Sequence, residues 1–215
     1  MKPTETASGL ILRTRPLTET SLIVQWLTRD LGRIATVAKG ARRPKSTFAG
    51  KLDLFYWADL SFNRSRTSEL HLLREVSVRE THPALRQSMG ALQQACYAAA
   101  LVEQVTETET PLEGIADLVF GFVDFLSQAG PPPELVFAFE LKFLAELGLG
   151  PELGTSSLKA ETRGLAESFV TSNWDWIAAR PMTPAQRSEL SQYLRGFITY
   201  HLGRVPRGRD LALES

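Results

Sequence analysis

The sequence is poor in the residues that form disulfides and metal sites. It has one cysteine, Cys96, and three histidines, His71, His82 and His201, among 215 residues. One cysteine allows neither an internal disulfide nor a zinc site made of cysteines, and the histidines share no ligand spacing. We therefore expect no metal and no other cofactor. Cys96 lies on the apolar stripe of a predicted helix, which favours a buried structural thiol over a nucleophile.

Long apolar segments are also lacking. No apolar run reaches the roughly 18 residues of a membrane span, and the opening residues "MKPTETASGL" lack the apolar core of a signal peptide. The composition, 43% hydrophobic and 22% charged, is that of a globular protein. We expect a cytoplasmic protein that is not attached to a membrane.

Motifs of nucleotide binding and hydrolysis do not occur. In "GARRPKS" the spacing from Gly40 to Lys45 is one residue short of a phosphate-binding loop, and Pro44 stands where its second glycine should be. "GLGPELG", from Gly148, follows a predicted helix rather than a strand, so it is no dinucleotide-binding motif. G-x-S-x-G and H-E-x-x-H sequences are absent. We therefore predict that the protein is not an enzyme.

The net charge is zero, but the charges are unevenly distributed. Residues 1–80 hold 14 lysines and arginines against 8 aspartates and glutamates, and the remainder holds 10 against 16. "VAKGARRPKSTFAGK", residues 37–51, concentrates Lys39, Arg42, Arg43, Lys45 and Lys51. This asymmetry favours a basic module that binds nucleic acid or another polyanion. The alternative is an ordinary solvated surface loop.

The first 80 residues predict five short strands. These are "GLILRT", "SLIVQWLT", "GRIATVAKG", "LFYWADLSFN" and "ELHLLREVSVRE", the last with a slip in its period of two near Arg74 that indicates a bulge. Between the third and fourth strands, Ser46 to Leu52 is long enough for a short helix. This outline is typical of an OB-fold barrel, although a small SH3-like barrel has a similar strand count.

From Pro83 onward the apolar period becomes helical. It predicts helices through Leu85–Val102, Ile115–Leu126 and Glu134–Leu147, and a last helix that begins after a Thr183 cap and ends near Leu202. We therefore predict an α+β protein with an OB-fold domain at residues 1–80 and a helical domain at 81–215. The phenylalanines of these helices are most simply core, although a peptide-binding groove is an alternative: Phe120, Phe122, Phe125, Phe137, Phe139 and Phe143.

The cationic segment of residues 37–51 has further cations and aromatic rings nearby in the sequence. Single-stranded nucleic acid requires cations for its phosphates and flat rings for its bases. Phe48, Tyr56, Trp57 and Phe62 could supply such rings, or could point into the barrel. The flanking cations are Arg13, Arg15, Arg64 and Arg66.

Residues 9–55 resemble the opening of the bacterial RecO family of recombinational DNA-repair proteins. The similar stretch is "GLILRTRPLTETSLIVQWLTRDLGRIATVAKGARRPKSTFAGKLDLF", and its segment from Lys39 to Gly50 is long and specific. "YLRGFITYHLGR", residues 193–204, resembles the family's closing helix, whereas residues 105–180 add only helical character.

The resemblance implies an N-terminal OB-fold joined to a helical domain. It also implies a recombination mediator that binds single- and double-stranded DNA, anneals complementary strands and, with RecR, helps load RecA onto DNA coated by single-strand-binding protein. The helical domain is implicated in binding that coating protein's acidic, Phe-ended tail. A cytoplasmic, nucleoid-associated protein is expected. The implied DNA contacts are Lys39, Arg42, Arg43 and Lys45, with Arg13, Arg15, Arg64 and Arg66 as additions.

The sequence departs from the family at one place. Many members carry a four-cysteine zinc module after a segment like "LGLGPELGTSS", Leu147 to Ser157, but no cysteine follows it here. We therefore predict that the zinc module is absent. Two other functions fit the same residues: an RNA-binding OB-fold module, and an adaptor whose phenylalanine-rich helices bind peptides.

Overall fold

The N-terminal part of the chain consists of five strands, as predicted. The structure, a computed structural model, describes residues 4–128 and 131–214. Its strands are β1 (Thr4–Pro16), β2 (Leu22–Thr28), β3 (Gly32–Ala38), β4 (Trp57–Asn63) and β5 (Leu70–Glu80).

The strands close into a barrel in the order β1-β2-β3-β5-β4. β1 pairs with two neighbours. Its first half is antiparallel to β4, and its second half is antiparallel to β2. β3 and β5 pair in parallel, from Ala35 opposite Leu70 to Val37 opposite Leu72. Each strand therefore has two partners and none is left as a free edge. This order, with its parallel pair, confirms the OB-fold prediction.

Alternate side chains of the strands fill the barrel. Val24, Trp26, Ile34 and Phe62 are among its fully buried residues, and the Trp26 indole N–H donates to Thr36 Oγ1 at 2.9 Å. The register of β4 against β5 shifts where Ser61 faces Glu75 and Phe62 faces Leu73. Arg74 is the extra residue, so the predicted bulge is confirmed.

The predicted helix between β3 and β4 is not present. Residues 39–51 instead form consecutive turns, in which the amides of Arg43, Ser46 and Ala49 donate to carbonyls three residues earlier. Pro44 cannot donate a backbone hydrogen bond, and Gly50 adopts a positive φ of 71° that ends any helical turn.

The rest of the chain is helical. A 3-10 turn (Pro83–Arg86) is followed by α1 (Met89–Val105), α2 (Glu113–Leu126), α3 (Glu134–Glu146), α4 (Ala160–Thr171), α5 (Trp174–Ala178), α6 (Pro184–Leu202) and α7 (Arg209–Leu213). The four predicted helices and the Thr183 capping box are confirmed. Three helices were not predicted. α5 and α7 have only five residues each, and α4 buries only three of its residues, so none of them shows a clear apolar period. No helix within the described ranges is long and apolar enough to cross a membrane.

The chain forms two compact units that alternate along the sequence. The first contains residues 1–82 and 106–120, and the second contains residues 83–105 and 121–215. Residues 106–120 thus pack with the strands, although they lie in the range that the sequence assigned to the helical domain. That residues 1–80 and residues 81–215 are separate domains stays a prediction.

The helical phenylalanines are mainly core. Phe122, Phe137, Phe139 and Phe143 are at most 1% exposed, so they cannot line an open peptide groove. The prediction of a buried Cys96 is wrong, since that residue is exposed. α1 buries the face that carries residues such as Ala95, Tyr97 and Ala98, and Cys96 falls outside it.

A buried ionic group lies in the second unit. Arg209 donates to both carboxylate oxygens of Glu140, at 2.6 and 2.9 Å, and the Tyr97 hydroxyl donates to the same carboxylate at 2.5 Å. All three side chains are at most 1% exposed. Burial, and then the negative charge of Glu140, raise the pKa of Tyr97 well above its ordinary value, so the phenol keeps the proton that it donates. The group ties α7 to α1 and α3.

Candidate nucleic-acid interface

The loop that follows β3 is the most cationic segment of the first unit. We call residues 39–51 the basic loop; they include five cations and no acidic residue. Lys39, Arg42, Arg43 and Lys45 are exposed, and Lys51 is half-buried. Because none of these residues has an acidic neighbour within the loop, their charges reinforce one another.

The basic loop is held in one shape by its own residues. Gly40 and Gly50, near its two ends, both have a φ of 71°, which glycine adopts without a steric penalty. Between them, Phe48 is only 8% exposed and packs into the barrel core. A buried aromatic ring therefore anchors the middle of a cationic, solvent-facing segment.

Arg42 ties the basic loop to the turn between β1 and β2. Its amide donates to the Thr20 carbonyl at 3.0 Å, and its Nη1 donates to the Thr18 carbonyl at 3.1 Å. Both acceptors are uncharged, so the guanidinium keeps its full positive charge. No sequence pattern indicated Thr18 or Thr20, because their role depends only on their backbone oxygens.

Arg15 is at the same end of the barrel as the basic loop. Arg15 pairs with Ile23, and Ile23 pairs with Val37, two residues before the loop begins. Arg13 is on the same face of β1, about 7 Å further along the strand. Both arginines are exposed. The structure thus brings Arg15, and Arg13 less closely, to the group of cations that the sequence singled out.

Arg64 has a different environment. Its Nε donates to Glu5 Oε1 at 2.9 Å, and its Nη1 donates to Glu109 Oε2 at 2.5 Å. The hydrogen bond from Arg64 lowers the pKa of Glu5, and the same bond raises the pKa of Arg64. Glu109 also contacts the buried His71, at 2.7 Å. Two carboxylates already offset the charge of Arg64.

Strand direction separates Arg64 and Arg66 from the basic loop. β5 runs parallel to β3 and begins opposite Ala35, so the turn before β5 lies toward the start of β3. The basic loop leaves the opposite end of β3. Arg66 is exposed and lines a shallow groove beside Glu69 and Glu109. The structure therefore does not gather all eight predicted cations into one site, and their contacts with DNA stay predictions.

Three of the four candidate aromatic rings are packed against protein, since Phe48 also lies in the barrel core. Phe62 is fully buried in the barrel, and Trp57 meets Phe120 edge-on with ring centroids 4.4 Å apart. Tyr56 is half-buried and, with Phe48, lines a pocket of about 240 Å³ beneath the basic loop. Asp53, which sequence reasoning missed, lines the same pocket. Cations for phosphates and a ring for a base thus occur together at this end of the barrel.

Zinc does not fit the residues present. In the described parts of the chain, no group of three or more histidine, cysteine, aspartate or glutamate side chains could hold a metal ion. The segment from Leu147 to Ser157 forms a loop and a short 3-10 turn without a cysteine.

Comparison with known proteins identifies the family. Residues 1–82 match the family described as Recombination protein O N terminal, and residues 86–157 match Recombination protein O C terminal. Relatives named DNA repair protein RecO include one from Rhodopirellula baltica, 32% identical over 143 residues, which cover 66% of this chain and 53% of the relative. The chain therefore matches about half of that relative's length.

Longer matches extend over most of the chain. A DNA repair protein RecO from Anaeromyxobacter sp. is 26% identical over 231 aligned positions, 92% of this chain and 91% of the relative. Another from Listeria monocytogenes is 29% identical over 169 residues, 79% of this chain and 66% of the relative. With both family domains matched in order on the fold described above, the chain belongs to the RecO family.

Proposed function

We propose that this protein is a DNA-binding recombination mediator that acts in DNA repair. It binds single- and double-stranded DNA and anneals complementary single strands. The observation that carries this proposal is the basic loop: Phe48 anchors it in an OB-fold barrel, Arg42 fastens it to the neighbouring turn, and four cations face solvent. Membership of a family whose members are named for DNA repair supports the same function.

The chemistry proposed for this surface is charge neutralisation without bond formation. Two DNA strands repel each other through their phosphates, and lysine and arginine side chains release counterions when they bind those phosphates. Contacts to phosphates leave the base edges exposed. A basic surface that holds strands in this way lowers their repulsion while their bases remain available for pairing.

The protein's partners are proposed from the family alone. RecR would act with this chain to load RecA onto DNA coated by single-strand-binding protein, and the helical unit would bind the coating protein's acidic, Phe-ended tail. With these partners, the protein would act in the cytoplasm, at the nucleoid.

A salt series tests the DNA-binding surface. Fluorescence anisotropy of labelled single-stranded DNA would compare wild type with an Arg42→Ala, Arg43→Ala, Lys45→Ala triple variant. Each lost phosphate contact removes about 0.7 from the slope of log affinity against log salt, so we expect weaker binding and a slope shallower by about 2.

The control removes three arginines elsewhere on the same unit, two of which, Arg29 and Arg79, form ion pairs. Arg29, Arg74 and Arg79 are exposed and lie outside the basic loop, and their replacement by alanine changes the net charge equally. We expect this control to bind nearly as wild type does. Unchanged binding by the loop variant would contradict the proposed surface. Equal affinity for RNA and DNA, with no effect of RecR, would indicate an RNA-binding module instead.

A further inference from the structure

A stripe of aromatic rings runs along one flank of α6, in the second unit. The helix buries Leu190, Leu194 and Ile198. On an adjacent flank, Tyr193, Phe197 and His201 follow one another at intervals of four residues. Their ring centroids are 6.1 Å and 4.3 Å apart.

Tyr200 extends this stripe into solvent. Its ring meets His201 edge-on, with centroids 4.9 Å apart, and its side chain is 85% exposed. Phe197 is half-buried and His201 is exposed. Tyr200 and His201 therefore present their ring faces to solvent, and Phe197 does so in part.

Cations lie close to the stripe in the sequence. Residues 193–207 include three arginines and no acidic residue. Arg204 donates to Gln104 Oε1 at 3.2 Å, which leaves its charge intact. Arg207 is exposed. Arg195 forms an ion pair with Asp210. Asp210 and Arg207 both line a nearby pocket of about 340 Å³.

We propose that this flank of α6 is a second surface for single-stranded DNA. Arg204 and Arg207 would bind phosphates, and bases would stack on Tyr200 and Phe197. This proposal rests on the proposed function, and it gives one chain two strand-binding surfaces, one on each compact unit. With two such surfaces, one chain could hold two strands at once.

The charges argue against a second copy of the chain as the occupant. In a two-fold contact the same patch meets itself, so Arg204 and Arg207 of one copy would face the same cations of the other. A single strand of DNA instead combines phosphates for these arginines with flat bases for the rings. Its chemistry matches both parts of the flank.

Gly196 provides a sharp test. It is exposed, it precedes Tyr200 by about one turn, and, apart from its chain neighbours and the backbone of its own helix, no atom lies within 4 Å of the position that a Cβ would occupy. Gly196→Glu places a carboxylate beside the stripe, whereas Gly196→Gln adds a neutral side chain of the same length. Both variants are expected to fold, because the substituted side chain enters open space.

The measurement is made in the full chain that carries the Arg42, Arg43 and Lys45 alanine substitutions. Binding of labelled single-stranded DNA that persists in this background reports the α6 surface. We expect Gly196→Glu to weaken it by about fivefold or more, and Gly196→Gln to leave it within about twofold. Photocrosslinking of 5-iododeoxyuridine DNA to the unsubstituted α6 should label the tryptic peptide of residues 196–204.

Several outcomes would overturn the proposal. They are loss of all binding in the loop variant, equal effects of the two Gly196 substitutions, crosslinks confined to the first unit, or a change of oligomeric state in Gly196→Glu on sedimentation. If wild type binds and the loop variant does not, the proposed function stands and only the second surface fails. If wild type binds no DNA, the proposed function itself fails.

Discussion

Glu140 and Arg209 show how a single pair of residues can hold an element in place. Both are removed from water, and such a pair is stable only when hydrogen bonds compensate the cost of desolvation. Here Arg209 meets both carboxylate oxygens, Tyr97 adds a third donor, and Ser191 accepts from the far side of the guanidinium at 3.0 Å. The five residues of α7 are therefore fixed by one buried arginine more than by their own helical stability.

Arg209→Met should strongly destabilise the second unit. The change leaves the Glu140 carboxylate buried with the Tyr97 hydroxyl as its remaining partner in this group, and we expect a loss of about 3–5 kcal/mol in the free energy of unfolding. Urea denaturation followed by circular dichroism measures it. Adding Glu140→Gln removes the isolated charge and should recover part of the loss. An Arg209→Met variant as stable as wild type would show that the pair contributes little.

At the scale of elements, the β2–β3 turn is shaped by a segment far away in sequence. The Glu109 amide donates to the Arg33 carbonyl at 2.8 Å, and the Arg33 side chain donates to the Thr106 hydroxyl at 2.8 Å. Gly32 lies directly beneath this contact: a Cβ built on it would come within 2.0 Å of the Thr110 carbonyl oxygen. Glycine is required at this position both for its φ of 66° and for the close approach of another backbone.

Gly32→Ala and Gly50→Ala form a matched pair. Both glycines have a positive φ, but nothing lies within 4 Å of a Cβ at Gly50. Gly50→Ala should therefore lower the free energy of unfolding by only the cost of a left-handed backbone at alanine, roughly 1–2 kcal/mol. Gly32→Ala should lower the free energy of unfolding by clearly more. It should also speed hydrogen exchange at the Glu109 amide, because the segment around Thr110 must move away from the new Cβ. Equal losses in urea denaturation would show that the close approach has no energetic effect.

At the scale of the whole molecule, the barrel unit is completed by residues that lie beyond the first α-helix. In residues 106–120, Thr106 accepts a hydrogen bond from Arg33, and Glu109 contacts both Arg64 and His71. Cutting the chain after residue 82 would leave those groups without these partners. A barrel made only of its strands should therefore be less stable than the compact unit in the full chain.

A chimaera tests this interleaving. Residues 1–82 would be joined to residues 106–120 by a Gly/Ser linker of the same length as the omitted segment. We expect it to unfold at a higher urea concentration than residues 1–82 alone, since it restores the ion pair of Arg64 with Glu109 and the contacts of Arg33. The control carries the same linker with the order of residues 106–120 scrambled. A chimaera no more stable than its control would refute the role of the segment.

The sequence by itself determined the parts of this protein that depend on neighbouring residues. Short apolar runs and alternation with a period of two predicted the five strands, and the slip at Arg74 predicted its bulge. The spacing of apolar residues predicted four helices, and Thr183, Pro184 and Gln186 predicted how α6 begins. The family, too, could be identified from residues 9–55. These signals are readable because strand period, helix period and capping act over a few residues.

Only the tertiary structure decided which charges remain available and which residues are covered. Arg64 looks like Arg15 in the sequence, yet Glu5 and Glu109, distant along the chain, offset its charge. The basic loop forms turns instead of a helix, with Phe48 inserted in a core made by other strands. Cys96 faces solvent because tertiary packing covers a different face of α1. Each of these depends on contacts between residues far apart in the chain, for which no local pattern exists.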